Sequence, residues 1–118
     1  MGNMYGSGAK GRATKLHAEL VRERGACENC GNTHALQCAH IISRKYAKTR
    51  TDLNNAFCLC ASCHMKFTDN PVDFGKFVID KIGNKNFSKL RKKAYNTTKK
   101  MDWEEEYKRL KEIQAQCH

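Results

Sequence analysis

Nothing in this 118-residue chain approaches the roughly 18–20 consecutive apolar residues of a membrane-spanning helix. The opening residues, Met1 to Gly8, carry no apolar stretch of the kind a secretory signal needs. Neither insertion nor export is therefore expected, and the cytoplasm is the expected location. There is no internal repeat, no low-complexity tract beyond the Gly/Ser-rich tip, and a single proline, Pro71. Acidic residues are few: 12 Asp and Glu face 22 Lys and Arg, a formal net charge of +10. That balance points to a polyanionic partner, above all nucleic acid, although a charge excess can also serve solubility alone.

An even cysteine count is missing too. Seven cysteines without an export signal do not make a disulfide scaffold. Four of them form two C-x-x-C pairs, which in a reducing compartment point to zinc.

Three segments differ in composition. Residues 1–25 begin with a glycine-rich tip, expected to be mobile, followed from about Arg12 by a helical pattern with Leu16, Leu20 and Val21 on one face. Gly25 sits where a C-terminal cap glycine belongs. Residues 26–71 hold six cysteines and three of the five histidines. Residues 72–118 are lysine-rich and helical in period, with 12 basic and seven acidic residues. Three short helices are expected there, carried by Phe74, Phe77, Val78 and Ile82 up to Gly83, by Phe87, Leu90, Ala94 and Tyr95, and by Trp103, Tyr107, Leu110 and Ile113. Such aromatic stripes read as core. Asp102 and Glu105 form a capping-box-like start for the last helix.

The chemistry concentrates in the middle segment. Cys27-x-x-Cys30-Gly31 is a zinc knuckle: two thiolates close on one tetrahedral ion, and Gly31 permits the tight turn. Cys60 and Cys63 repeat the spacing and complete the set. Cys58, two residues before Cys60 and expected on the same side of a strand, is the alternative ligand. Cys38 and Cys117 have no spacing partner and read as free thiols. The 29 residues between the knuckles exceed a simple zinc ribbon. Leu36 to Ile42 reads as a strand, Ser43 to Asn54 as a polar basic loop, Ala56 to Leu59 as a returning strand, and Ala61 to about Asp69 as a helix.

In this order, Cys27-x-x-Cys30-Gly31, Ala39-His40-Ile41-Ile42-Ser43-Arg44, Asn54-Asn55 and Leu59-Cys60-x-x-Cys63-His64 resemble the HNH endonuclease family, the His-Me finger or ββα-metal nucleases. The likeness is greatest to small phage and prophage members with a four-cysteine zinc site, and it covers about residues 26–71. It implies a small α+β fold: a zinc-stabilised, treble-clef-like ββα-metal finger over 26–71. An N-terminal helix within 1–25 and a basic helical extension over 72–118 would flank it.

The resemblance also implies roles. His40 matches the general base that activates water. Asn55, or its neighbour Asn54, matches the asparagine that steadies the loop. His64 matches the ligand of a catalytic divalent ion, Mg2+ or Mn2+ with Ni2+ possible, unless it replaces Cys63 on the structural Zn2+. Arg44, Lys45, Lys48, Arg50 and Lys66 would hold the phosphate backbone of double-stranded DNA. Many members carry an acid or histidine where this chain has Ala39, leaving Asp52, Asn55 or Thr68 to compensate. The expected activity is DNA phosphodiester hydrolysis. A non-catalytic zinc-finger DNA-binding module is the alternative, which Ala39 favours, and a zinc-bound assembly protein is a third. The C-terminal helices could also meet a phage or host protein.

Overall fold

The structure, a computed structural model, describes residues 8–117. The Gly-rich tip Met1–Ser7 and the side chain of Cys117 lie outside the described residues. None of the described helices is long and apolar enough to cross a membrane.

The first helix, α1 (Ala9–Arg22), buries two faces because it has two neighbours. Ala13, Leu16 and Leu20 pack against Leu110, Trp103, Tyr107 and Ile113 of the last helix, α5 (Trp103–Cys117). Val21, expected on the leucine face, turns the other way onto Ala56 and Cys58, because the sheet covers that side of the helix. Beyond α1 the chain reverses at Gly25, whose φ of +89° an L side chain rarely adopts. Arg24 fastens this turn by donating to the carbonyls of Ala56 (2.8 Å) and Leu53 (2.7 Å).

Strands β1 (Leu36–His40) and β2 (Ala56–Cys60) pair antiparallel, with Cys38 opposite Cys58 and His40 opposite Ala56. β2 is buried at every position. Phe57 and Leu59 face Phe67 and Val78, while Ala56 and Cys58 face Val21, so its run Ala-Phe-Cys-Leu-Cys is apolar without alternating. Helix α3 (Ala61–Asp69) starts directly from β2.

Helix α4 (Pro71–Tyr95) is broken at Gly83, where φ is 80° and ψ is 160°. Its first half seats Phe74, Phe77 and Val78 on the sheet, and its second seats Leu90 and Ala94 on Ile42. With α5 this gives the three expected helical stretches. The Asp102 carboxylate accepts the Glu105 N–H at 3.1 Å, so it caps α5 as the capping pattern requires.

Two further expectations need correction. β1 ends at His40 rather than Ile42: the Ile41 N–H still donates to Asn55 O, the next pair in register, but the Asn55 N–H turns to Asp52 O and the Ile42 N–H goes to the Asn55 side chain. The segment from Ser43 to Asn54, expected as a polar basic loop, has structure of its own. It contains the short helix α2 (Ala47–Arg50) and begins a 3-10 turn at Leu53–Asn55, with Thr49, Thr51 and Asn55 buried. Thr49, Arg50 and Thr51 spend their side chains on hydrogen bonds inside the fold.

Candidate metal centre and nuclease site

The first knuckle is shaped by the Gly31 N–H donating to Cys27 O at 2.9 Å, with Gly31 at φ +82°. The second pair comes from the end of β2 and the first turn of α3. Together they bring the Sγ atoms of Cys27, Cys30, Cys60 and Cys63 within 4.8 Å of one another, and Cys30 and Cys60 stand 3.7 Å apart. A tetrahedron of sulfurs around zinc has edges of ~3.8 Å, so the donor set fits that ion. The Cys27 thiol is pulled down to about 6: burial opposes ionisation, but backbone N–H groups at Cys60, Cys30 and Asn29 outweigh it. Cys63 is pushed up to about 12. Asn29, donating to its sulfur at 3.3 Å, pulls the other way, but burial and the three neighbouring sulfurs prevail. Four thiolates at this spacing need a cation between them.

Cys58 is not part of the cluster. Its side chain packs beside Val21, whereas Cys60 sits where the chain turns from β2 into α3 and joins the opposite side. His64 is not the fourth member either. Its Nδ1 lies 2.7 Å from Gln37 Oε1, so this nitrogen donates to the amide oxygen and the other ring nitrogen keeps its lone pair. Thr68, one turn further along α3, donates its hydroxyl to His64 O.

His40 ends β1 with Nε2 donating to Arg50 O at 2.8 Å. The acceptor is a carbonyl, so Nε2 carries the hydrogen and Nδ1 is the basic nitrogen. Burial, then the carbonyl working against it, and then the nearby Arg44, Arg50 and His64 charges leave His40 below its ordinary pKa. Asn55, fully buried, fixes the segment that supplies this carbonyl. Its Oδ1 accepts the Ile42 N–H (2.8 Å), and its Nδ2 donates to Ile42 O and Thr49 O (both 3.0 Å). Asn54 is exposed and offers only its N–H, to Asp52.

Ala39 is 2 % exposed, in the apolar cluster with Phe57, Leu59 and Phe67. Of its three candidate substitutes, Asn55 has its amide consumed by Ile42 and Thr49, and Asp52 spends its carboxylate on the Asn54 N–H and on Lys93 at 2.7 Å. Gln37 is the oxygen-bearing side chain held by the His64 ring, and Thr68 spends its hydroxyl hydrogen on the His64 main-chain carbonyl.

The five basic residues separate into two kinds. Arg44, Lys45 and Lys66 are exposed and Lys48 is half-buried. Lys45 lies over the Tyr46 ring and Lys66 over the Phe67 ring. Arg50 is built into the fold, donating through Nε to Thr14 Oγ1 (2.7 Å) and through a terminal nitrogen to Arg44 O (3.1 Å).

Sequence reasoning passed over Gln37 and His17. His17 is fully buried on α1, its Nε2 donating to Asp52 O at 2.9 Å, and its ring centroid lies 5.1 Å from that of His40. The available signal was its place four residues before Val21, on the stripe that faces the sheet.

A family profile described as HNH endonuclease matches residues 14–72. No curated protein and no solved structure matches the chain.

Proposed function

The chain belongs to the HNH endonuclease family, and from that membership we propose that it is a metal-dependent endonuclease hydrolysing phosphodiester bonds of double-stranded DNA. The observation that carries this reading is the setting of His40. A carbonyl takes its Nε2 hydrogen, burial keeps it neutral, and a buried asparagine fixes the segment that holds it. Such a group is a general base aimed through one nitrogen.

His40 Nδ1 would take a proton from water while the oxygen attacks phosphorus and the bond to the 3′ oxygen breaks. His64, its ring oriented by Gln37, would present its free ring nitrogen to a divalent ion, Mg2+ or Mn2+. When bound, that ion supplies neutralisation of the phosphate oxygens and of the leaving group. Cys27, Cys30, Cys60 and Cys63 would hold a structural Zn2+ that ties the first knuckle to α3. Arg44, Lys45, Lys48 and Lys66 would meet phosphates, whereas Arg50 would act mainly by positioning the His40 partner carbonyl. In this reading residues 26–71 form the catalytic unit and 72–118 its support.

Ala39, buried in the core where many relatives place a ligand, favours a second reading, a DNA-binding module without turnover. Incubating the protein with supercoiled plasmid in Mg2+, Mn2+ or EDTA separates the two. Relaxed or linear product that appears with the ions and not with EDTA supports the nuclease. DNA binding without product at any ion concentration supports the module.

A further inference from the structure

A second cluster of metal-ligating atoms lies outside the four cysteines. Donor atoms of His17 on α1 and of Cys38 and His40 on β1 all lie within 4.8 Å of one another. Cys38 Sγ is 4.0 Å from His17 Nδ1 and 4.0 Å from His40 Nδ1. Both imidazoles are oriented the same way. Each gives its Nε2 hydrogen to a backbone carbonyl, that of Asp52 for His17 and that of Arg50 for His40. Each therefore turns an Nδ1 lone pair toward the same sulfur.

That arrangement is incomplete as hydrogen bonding. The one S–H of Cys38 can serve only one of the two nitrogens at a time, so the other is left to water or to a cation. A cation at the centre would satisfy all three atoms. Nitrogen and sulfur bound to one tetrahedral zinc are ~3.6 Å apart, so each pair needs to close by about 0.4 Å. Carbonyl anchors on both rings are the usual device that fixes a ligating histidine.

We propose that His17 Nδ1, Cys38 Sγ and His40 Nδ1 form a second metal site, for Zn2+ or a similarly thiophilic divalent ion, whose occupation silences the nuclease. Binding forms one metal–sulfur and two metal–nitrogen bonds and releases the Cys38 proton to solvent, with no change of oxidation state. The fourth position is left to water or to a phosphate oxygen. Two imidazoles and a thiolate select Zn2+ or Co2+ over Mg2+, which demands oxygen ligands. Silencing follows because the ion takes the His40 lone pair that proton abstraction requires. This last step rests on the proposed role of His40, whereas binding itself does not.

The test is metal stoichiometry of the full chain by equilibrium dialysis against Zn2+, followed by plasmid cleavage in Mg2+. The expected parent holds two zinc ions, and Cys38→Ser holds one. Co2+ added to protein already holding one zinc should give a thiolate-to-cobalt charge-transfer band in the parent and none in Cys38→Ser. Added Zn2+ should slow cleavage by the parent about 10²-fold, the share of a general base, and leave Cys38→Ser at its own unchanged rate. A parent that binds one zinc and shows no cobalt band overturns the site, and this readout needs neither a variant nor activity. A second zinc that leaves cleavage untouched overturns the silencing. If neither Mg2+ nor Mn2+ supports any cleavage, the nuclease reading fails, while stoichiometry and spectrum still decide the site.

Discussion

Asn55 and Ile42 hold each other twice: the Ile42 N–H donates to Asn55 Oδ1 at 2.8 Å, and Asn55 Nδ2 donates back to Ile42 O at 3.0 Å. The same Nδ2 reaches Thr49 O, so one buried amide joins the end of β1 to the residue before Arg50, whose carbonyl receives His40. Replacing Asn55 by Asp removes both donations and buries a charge. Asn55→Asp should cost on the order of 3 kcal/mol in urea denaturation and abolish cleavage while the cysteine cluster keeps its metal. Asn54→Ala, at an exposed side chain, should stay within about 0.5 kcal/mol of the parent. Equal effects of the two substitutions would contradict this assignment.

The cysteine cluster should hold the finger together. A core of this size is worth about 3–5 kcal/mol, whereas a structural zinc site contributes on the order of 10 kcal/mol. Cys27→Ser, or prolonged chelation, should abolish the cooperative thermal transition followed by circular dichroism. Cys58→Ser should leave the metal content unchanged, because Cys58 packs beside Val21 on the other side of the strand. Loss of metal from Cys58→Ser would return it to the ligand set.

Much of this was legible in the sequence because it is written in spacing. The C-x-x-C pairs, the two strands apart from the end of the first, and the boundary at Ala61 follow from local pattern, while His40, Asn55 and His64 stand out by their order and carry roles that are proposed. Ser43 to Asn54 misled because a polar run reads as loop, while Thr49 and Thr51, like the adjoining Asn55, are polar in order to bond inside the fold. His17 is passed over for a related reason: the pattern of α1 reads as one buried leucine stripe, so its place four residues before Val21, on the face that lies on the sheet, carries no weight.

The basic residues should divide by experiment as they do by geometry. Replacing Arg44, Lys45, Lys48 and Lys66 by Gln should flatten the log–log salt dependence of DNA affinity by about 0.9 for each phosphate no longer neutralised, with little effect on stability. Arg50→Gln should instead lower the melting temperature, since it removes the donor to Thr14. An unchanged salt slope in the fourfold variant would move the DNA site to the lysine-rich helices.

The α5 docking should weaken in acid. Glu106 receives the Thr51 hydroxyl at 2.8 Å and pairs with Arg109. Burial alone would raise its pKa, but Arg109 and Thr51 outweigh it and hold it below the ordinary carboxylate value of 4.5. A carboxylate depressed in the folded state gives stability that is present above its unfolded value and lost as pH falls through its folded one. Stability measured from pH 6 downward should therefore drop below about pH 4.5 in the parent and less steeply in Glu106→Gln. Parallel curves would contradict the role of Glu106.

Plasmid cleavage by His40→Ala, in Mg2+ with the cysteine-bound metal verified as intact, tests the central claim most directly. The nuclease account predicts a folded variant whose turnover falls by about 10²-fold or more. A folded, metal-replete His40→Ala that cleaves as fast as the parent would contradict it.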